Sequence, residues 1–331
     1  MTGALDGVRI VDLTRLLPGG LCTLLLADLG ADVIKVEQPG TGDYVRERPA
    51  TFAALNRGKR SLCLDLKTSV GVEALLRVVA GADVLVESFR PGVLDRLGLG
   101  FEPMRRVNPR LVYCAITGWD RDGPRARRAG HDLNYVAATG LLARPPAVLP
   151  VQFADSAGAA LAALEIVAAL RERDRSGEGR FVDVSLAQAA LTLGAPAAGE
   201  PVLAGDALCY GVYRCADGWV ALGALEPKFW RAWCEGVDRA DLVEHQFDQT
   251  GSAAHGEVAK IFAGRTRAKW DEFAAAHDCC LTVVADVPAP LEAPPSREPP
   301  RLGEHTREVL LAAGLRDEEI ETLVLRTPSA S

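Results

Sequence analysis

A strand, a helix and a second strand are written into residues 8–37, and this unit constrains the fold more than any other stretch of the chain. Val8-Arg9-Ile10-Val11-Asp12-Leu13 is a short apolar run rich in β-branched residues, the pattern of a buried strand. Leu17-Pro18-Gly19-Gly20 is expected to turn the chain. Leu21 to Leu29 then reads as a helix ended by Gly30, and Ala31 to Glu37 reads as a second strand. Three elements within about thirty residues is the length of a parallel βαβ crossover. Lys59–Leu66, Val84–Glu87 and Leu111–Ile116 continue the strands. Val70–Ala80 is an amphipathic helix with Val72, Leu75, Leu76 and Val79 on one side. Alternation of this kind up to residue 125 predicts a doubly wound α/β sheet of Rossmann type.

The rest of the chain divides the molecule. Ser156 to Arg173, rich in Ala and Leu, is the longest expected helix, and Phe181–Ser185 a further strand. The tract 195–209, with its Pro, Gly and Ala, reads as a linker. A smaller α+β domain is expected over 210–287. It opens with a hairpin, Val212–Cys215 and Trp219–Gly223, around Asp217-Gly218. Helices are expected near 227–235, 254–262 and 267–277. The Pro-rich stretch 288–300 is an extended return path to two more helices, 304–313 and 317–325. The large domain is therefore 1–194, with 300–331 as its C-terminal part.

Composition excludes several classes. The 331 residues suffice for two domains, and the net charge of −7 argues against a nucleic-acid partner. Basic residues do cluster locally at Arg46, Arg48, Arg57, Lys59 and Arg60, a group suited to a small polyanion. The eight cysteines lack the paired spacing of a zinc site, so no metal is expected. Asp6 and Arg9 break any apolar leader, and no run of 18 apolar residues occurs. A cytoplasmic protein with reduced thiols and no membrane contact is the expectation.

Four blocks carry a family resemblance: "LLADLGADVIKVEQP", "LNRGKRSLCLDLK", "VLVESFRPGVLDRLGLG" and "NPRLVYCAITGWDRDGP". They resemble the family III CoA-transferase superfamily (CaiB/BaiF). "AGHDLNY", "FAD", "YGVYRCADGWVALGALEPKFW" and "RLGEHTREVL" are most similar to its α-methylacyl-CoA racemase branch. The resemblance implies an acyl-CoA thioester substrate, no cofactor beyond the CoA that is part of the substrate, and an interlocked homodimer with intertwined chains.

The residues support that chemistry. Removing the weakly acidic α-proton of a thioester needs a placed base and stabilisation of the enolate oxygen. Asp155 precedes a helix, where backbone N–H groups favour negative charge. Taken alone, an Asp there reads as a cap; the resemblance makes it catalytic. His131 follows Gly130 in a loop, and an imidazole is a side chain that can alternate between base and acid. The resemblance assigns it as the second base. It gives Glu226, beside Pro227, the task of orienting that imidazole from the partner chain. Asp132 and Tyr135 are supporting candidates. For CoA the resemblance implicates Arg90, with Leu16, Arg57, Lys59 and Tyr135.

The chain departs from the branch in places. Val151 stands where racemases carry an Asn four residues before the catalytic Asp, and only Met1 and Met104 are available for a groove that relatives line with methionine. Two other readings remain open: a CoA-transferase with Asp155 as nucleophile, and an acyl-CoA-binding protein with a decayed site.

Overall fold

The computed structural model describes residues 3–142, 149–286 and 297–325, the side chains of 195–198, 324 and 325 excepted. It divides into two compact units, Met1–Leu193 with Pro290–Ser331, and Gly194–Ala289.

The first unit is built on a six-stranded sheet. Its strands are β1 (Arg9–Asp12), β2 (Asp32–Glu37), β3 (Arg60–Cys63), β4 (Val84–Glu87), β5 (Val112–Thr117) and β6 (Phe181–Ser185). They run in the order β3-β2-β1-β4-β5-β6, every neighbouring pair parallel. Ile10 pairs with Val33 on one side and Val84 on the other. The chain winds outward from β1 to β3, then returns to β4. The winding therefore reverses between β1 and β4, which opens a crevice at the carboxyl ends of the strands.

Side chains alternate across the pleat, so each strand supplies two cores. Ile10, Val33, Val84, Val86, Cys114 and Ile116 pack with the helices Leu16–Asp28 and Phe153–Ser176. Val11, Ile34, Leu62, Leu85 and Ala115 pack with Ser69–Ala80 and Thr306–Ala312. Thr306–Ala312 docks through Cys63 N–H to Thr306 Oγ1 at 3.0 Å and His305 N–H to the Ser61 carbonyl at 3.0 Å. Of the Pro-rich return path, 288–296 lie outside the described residues; within the rest, Gly58 N–H donates to the Glu298 carbonyl.

The Leu-Pro-Gly-Gly segment is a correction. It forms the first turns of helix Leu16–Asp28 rather than a separate turn. Gly19 lets that helix sit on Thr14: an added Cβ would meet the Thr14 Cβ at 2.1 Å. Helix Phe153–Ser176 is long and apolar enough to cross a membrane by length and composition, with half of its apolar window buried. Packing of Ala162, Ile166 and Leu170 into the sheet core accounts for that apolarity.

The second unit carries an antiparallel sheet, β7 (Tyr210–Cys215), β8 (Gly218–Gly223) and β9 (Leu281–Val283), in that order. Ala216 and Asp217 connect the first two strands, Cys215 pairing with Gly218. The inner face packs on Trp230, Trp233, Phe262 and Trp270. Strand β9 is too short for its pattern to show in the sequence. Helix Leu186–Ala198 runs into the tract expected to be an irregular linker.

Candidate active site

Two helices begin side by side where His131 and Asp155 lie. His131 ends the loop after Gly130 and is the N-cap of helix Asp132–Ala138. Its N–H donates to Asn134 Oδ1 at 3.0 Å and its carbonyl accepts from Asn134 N–H at 2.8 Å. The backbone is fixed in this way while the imidazole stays exposed. Asp155 is not the N-cap of its helix. Gln152 holds that position, and Asp155 sits three residues later in the first turn. Its carboxylate is still at the positive end of the helix.

Asp132 joins the two helix starts. It is buried, and its Oδ1 accepts the Asp155 N–H at 3.0 Å. That donor is thus engaged, and the N–H groups of Phe153 and Ala154 remain as first-turn donors without a hydrogen bond among the described residues. Burial pushes the Asp155 carboxyl up to about 7, and the adjacent Asp132 charge adds to the effect. A carboxyl poised at neutrality exchanges protons in both directions, as a general acid–base catalyst must.

Tyr135 braces the site. Its hydroxyl donates to the Gly130 carbonyl at 2.6 Å, and its ring meets Trp119 edge-on at 4.9 Å. Gly118 and Gly130 admit the ring; a Cβ on Gly118 would lie 2.2 Å from the Tyr135 hydroxyl. Burial raises the Tyr135 hydroxyl above its usual range. The charges of Asp155 and Asp132 act in the same sense and Arg90 acts against them, so these four side chains share one electrostatic neighbourhood.

A cleft of about 410 Å³ opens over these groups, lined by Arg90, Trp119, Arg128, His131, Asn134 and Tyr135 among others. A second cleft, of about 300 Å³, lies at the point where the strand order reverses. Leu13, Val36, Leu64, Leu66 and Leu97 give it apolar walls, with Arg15, Lys67 and Arg96 as cations. Of its three acids, Glu37 pairs with Arg46 at 2.7 Å and Asp43 with Lys35 at 2.8 Å, while Asp65 accepts the Lys67 N–H at 3.0 Å. Phe89 lines both clefts.

Turn Ser88–Arg90 separates the clefts, and Glu87 shapes it by accepting the Phe89 N–H at 2.6 Å. Burial raises the Glu87 carboxyl to about 7; that hydrogen bond and Arg121, 3.7 Å away, offset the rise only in part.

Two residues that the resemblance implicates in CoA binding line neither cleft. Lys59 has a fully buried ammonium, 2.9 Å from the Gly20 carbonyl, 2.8 Å from Thr23 Oγ1 and 3.4 Å from Asp12 Oδ2. It ties β3 to the start of the first helix and has no surface for a phosphate. Arg57 pairs with Asp28 at 2.7 Å and bonds the Ala54 carbonyl. It lines neither cleft. Leu16 is exposed in the left-handed region, φ +63°, with its N–H on Asp43 Oδ1 at 3.1 Å. Glu226 belongs to the second unit, where it is the exposed N-cap of helix Pro227–Gly236. Met104 is fully buried in the sheet core and Val151 is 58% exposed. Arg15, Arg96, Trp119 and Arg128 were not anticipated. The arginine-rich text Arg125-Ala126-Arg127-Arg128 just before Gly130-His131 was the available signal for the last.

The first unit thus combines a doubly wound sheet, a cleft with three cations where its strand order reverses, a carboxyl raised to about 7 and an exposed imidazole. CoA-transferase family III matches residues 5–307, and the chain belongs to that family. Human α-methylacyl-CoA racemase is 34% identical over 97% of this chain and 96% of its own length. The succinyl-CoA:mesaconate CoA-transferase of Haloarcula hispanica is 36% identical over 77% of this chain and 72% of its own. Among solved structures, a CAIB/BAIF family protein from Brucella suis superposes with a TM-score of 0.81 at 26% identity, covering 95% of this chain and all of that one.

Proposed function

We propose that the protein moves the α-proton of an acyl-CoA thioester, racemising or epimerising the α-carbon. The observation that carries this reading is the Asp155 carboxyl, raised to about 7 beside Asp132 and next to the cleft that His131 lines. The nucleotide of CoA occupies the switch-point cleft, with its phosphates on Arg15, Lys67 and Arg96 and its ring between the apolar walls. The pantetheine arm crosses Phe89 into the larger cleft and presents the thioester there. One base takes the α-proton, and the electron pair moves onto the thioester oxygen. The free N–H groups of Phe153 and Ala154 stabilise the resulting enolate at the helix start. The other group returns a proton to the opposite face, and the enolate collapses to the inverted thioester. In this proposal Glu226 orients His131 from the partner chain of an intertwined homodimer.

The transferase reading is supported by the similarity to the mesaconate enzyme. There Asp155 is a nucleophile: its carboxylate attacks the thioester carbonyl, forms an anhydride and releases CoA thiolate. One experiment separates the two. Separate (R)- and (S)-α-methylacyl-CoA are incubated in deuterated water, with and without a carboxylate acceptor. Deuterium incorporation without acceptor supports proton transfer; CoA movement that needs the acceptor refutes it. In the His131→Ala and Asp155→Asn variants racemisation is lost, and residual exchange favours opposite enantiomers. Racemisation at the wild-type rate by His131→Ala rules out two bases.

A further inference from the structure

The larger cleft has an unbalanced charge. Arg90 and Arg128 both line it, and no Asp or Glu does. Among the described residues neither guanidinium makes a hydrogen bond or an ion pair, whereas other arginines around the cleft are engaged. Arg121 meets Glu87, Asp183 and the Phe181 ring, and Arg125 stacks over Trp119 at 5.3 Å. The indole Nε1 of Trp119 is a further buried donor with no acceptor among the described residues. Two unpaired guanidinium groups suit an alkyl chain poorly, because the chain would cover them and return nothing for their lost water. They suit an anion. Guanidinium and carboxylate form the strongest class of hydrogen bond open to side chains, and both Arg90 and Arg128 are exposed and open to an incoming anion.

On the proposed reading, the phosphates of CoA are already served by the cations of the switch-point cleft. Arg128 lines the larger cleft and not the switch-point cleft, and it stands two residues before Gly130 and three before His131. Its charge therefore faces the acyl portion of the thioester. We propose that Arg128 is a specificity-determining residue that selects acyl groups ending in a carboxylate. The substrate class is then an α-branched dicarboxylic acyl-CoA, with Arg90 lending a second positive charge at the same cleft. This inference rests on the acyl-CoA reading but does not depend on which step follows binding.

The test is calorimetric binding of two thioesters that differ in one charge: α-methylglutaryl-CoA with a free ω-carboxylate, and the same compound with that carboxylate methyl-esterified. The wild-type protein binds the free acid about 10- to 100-fold more tightly, the range of a charge-assisted hydrogen bond in a cleft. Arg128→Gln removes most of that preference. Arg127→Gln, an exposed neighbour outside the cleft, keeps it. Equal affinity of the wild type for the two thioesters overturns the proposal. So does an Arg128→Gln variant that weakens both thioesters and free CoA by the same factor, because that places the guanidinium on a CoA phosphate. Deuterium exchange is followed in the same samples. If the binding preference depends on Arg128 but neither thioester exchanges its α-proton, the specificity assignment stands and the proton-transfer function falls.

Discussion

Asp155 should be a residue whose removal destroys activity and strengthens the fold, and pH separates those two effects. Its carboxyl lies at about 7 in the folded protein against an ordinary value of 3.8. The folded state therefore holds this proton more tightly than the unfolded chain does. Between those two values the folded state binds more protons, so wild-type stability falls as pH rises from about 4 to 7 and is level above that. A displacement of this size corresponds to on the order of 4 kcal/mol, at about 1.4 kcal/mol per pH unit. The carboxyl is only partly buried, and solvent screening reduces the figure to about 2 kcal/mol. Asp155→Asn carries no charge to bury and keeps the N–H that donates to Asp132. It should match the wild type near pH 4.5 and exceed it by about 2 kcal/mol at pH 8, an increase in Tm of about 4 °C. Paired thermal melts of the two proteins at each pH give the difference directly. A gain that is the same at both pH values, or no gain at pH 8, refutes the assignment of a strained carboxyl.

The same titration governs activity. When Asp155 is the base, kcat/KM for its enantiomer rises as pH passes upward through about 7 and falls for the enantiomer that needs it as acid; identical pH profiles for the two directions count against the pair. Lys59→Met leaves buried Asp12 with Lys35, Thr14 and Thr23 but without its nearest ion-pair partner and should cost about 2–3 kcal/mol in a denaturant titration, while the folded fraction binds CoA with wild-type affinity. A Gly118→Ala side chain meets the Tyr135 hydroxyl, so about 1–3 kcal/mol of stability and most activity should be lost together; full activity would show that the tyrosine is not a brace. Glu87→Ala frees the Phe89 N–H at about 1–2 kcal/mol and should raise KM for the thioester, with Glu87→Gln restoring it because the amide oxygen still accepts.

The sequence by itself determined the sheet and the chemistry it could host. Runs such as Val84–Glu87 and Phe181–Ser185 are apolar on both pleat faces or alternate cleanly, and their spacing leaves room for parallel crossovers, so strand identity is a local property. The blocks around His131, Tyr135 and Asp155 are also local text, but taken alone they read as a loop histidine and a helix cap, and only the family resemblance singles them out as candidates. What the sequence could not determine was which charges face a ligand. Lys59 and Arg90 look alike as cations in a chain. Only the fold buries the first among Asp12, Thr23 and the Gly20 carbonyl and leaves the second on a cleft. The start of helix Leu16–Asp28 was misread for a related reason: Pro18-Gly19-Gly20 has the composition of a turn, and the demand that Gly19 lie on Thr14 comes from a contact across the βα junction. The union of Asp132 with the Asp155 N–H joins residues 23 positions apart, and burial at that junction, with the Asp132 charge second, gives Asp155 its displaced proton affinity. Burial and neighbouring charge depend on every element packed around a group at once, so they exist only once the chain has folded.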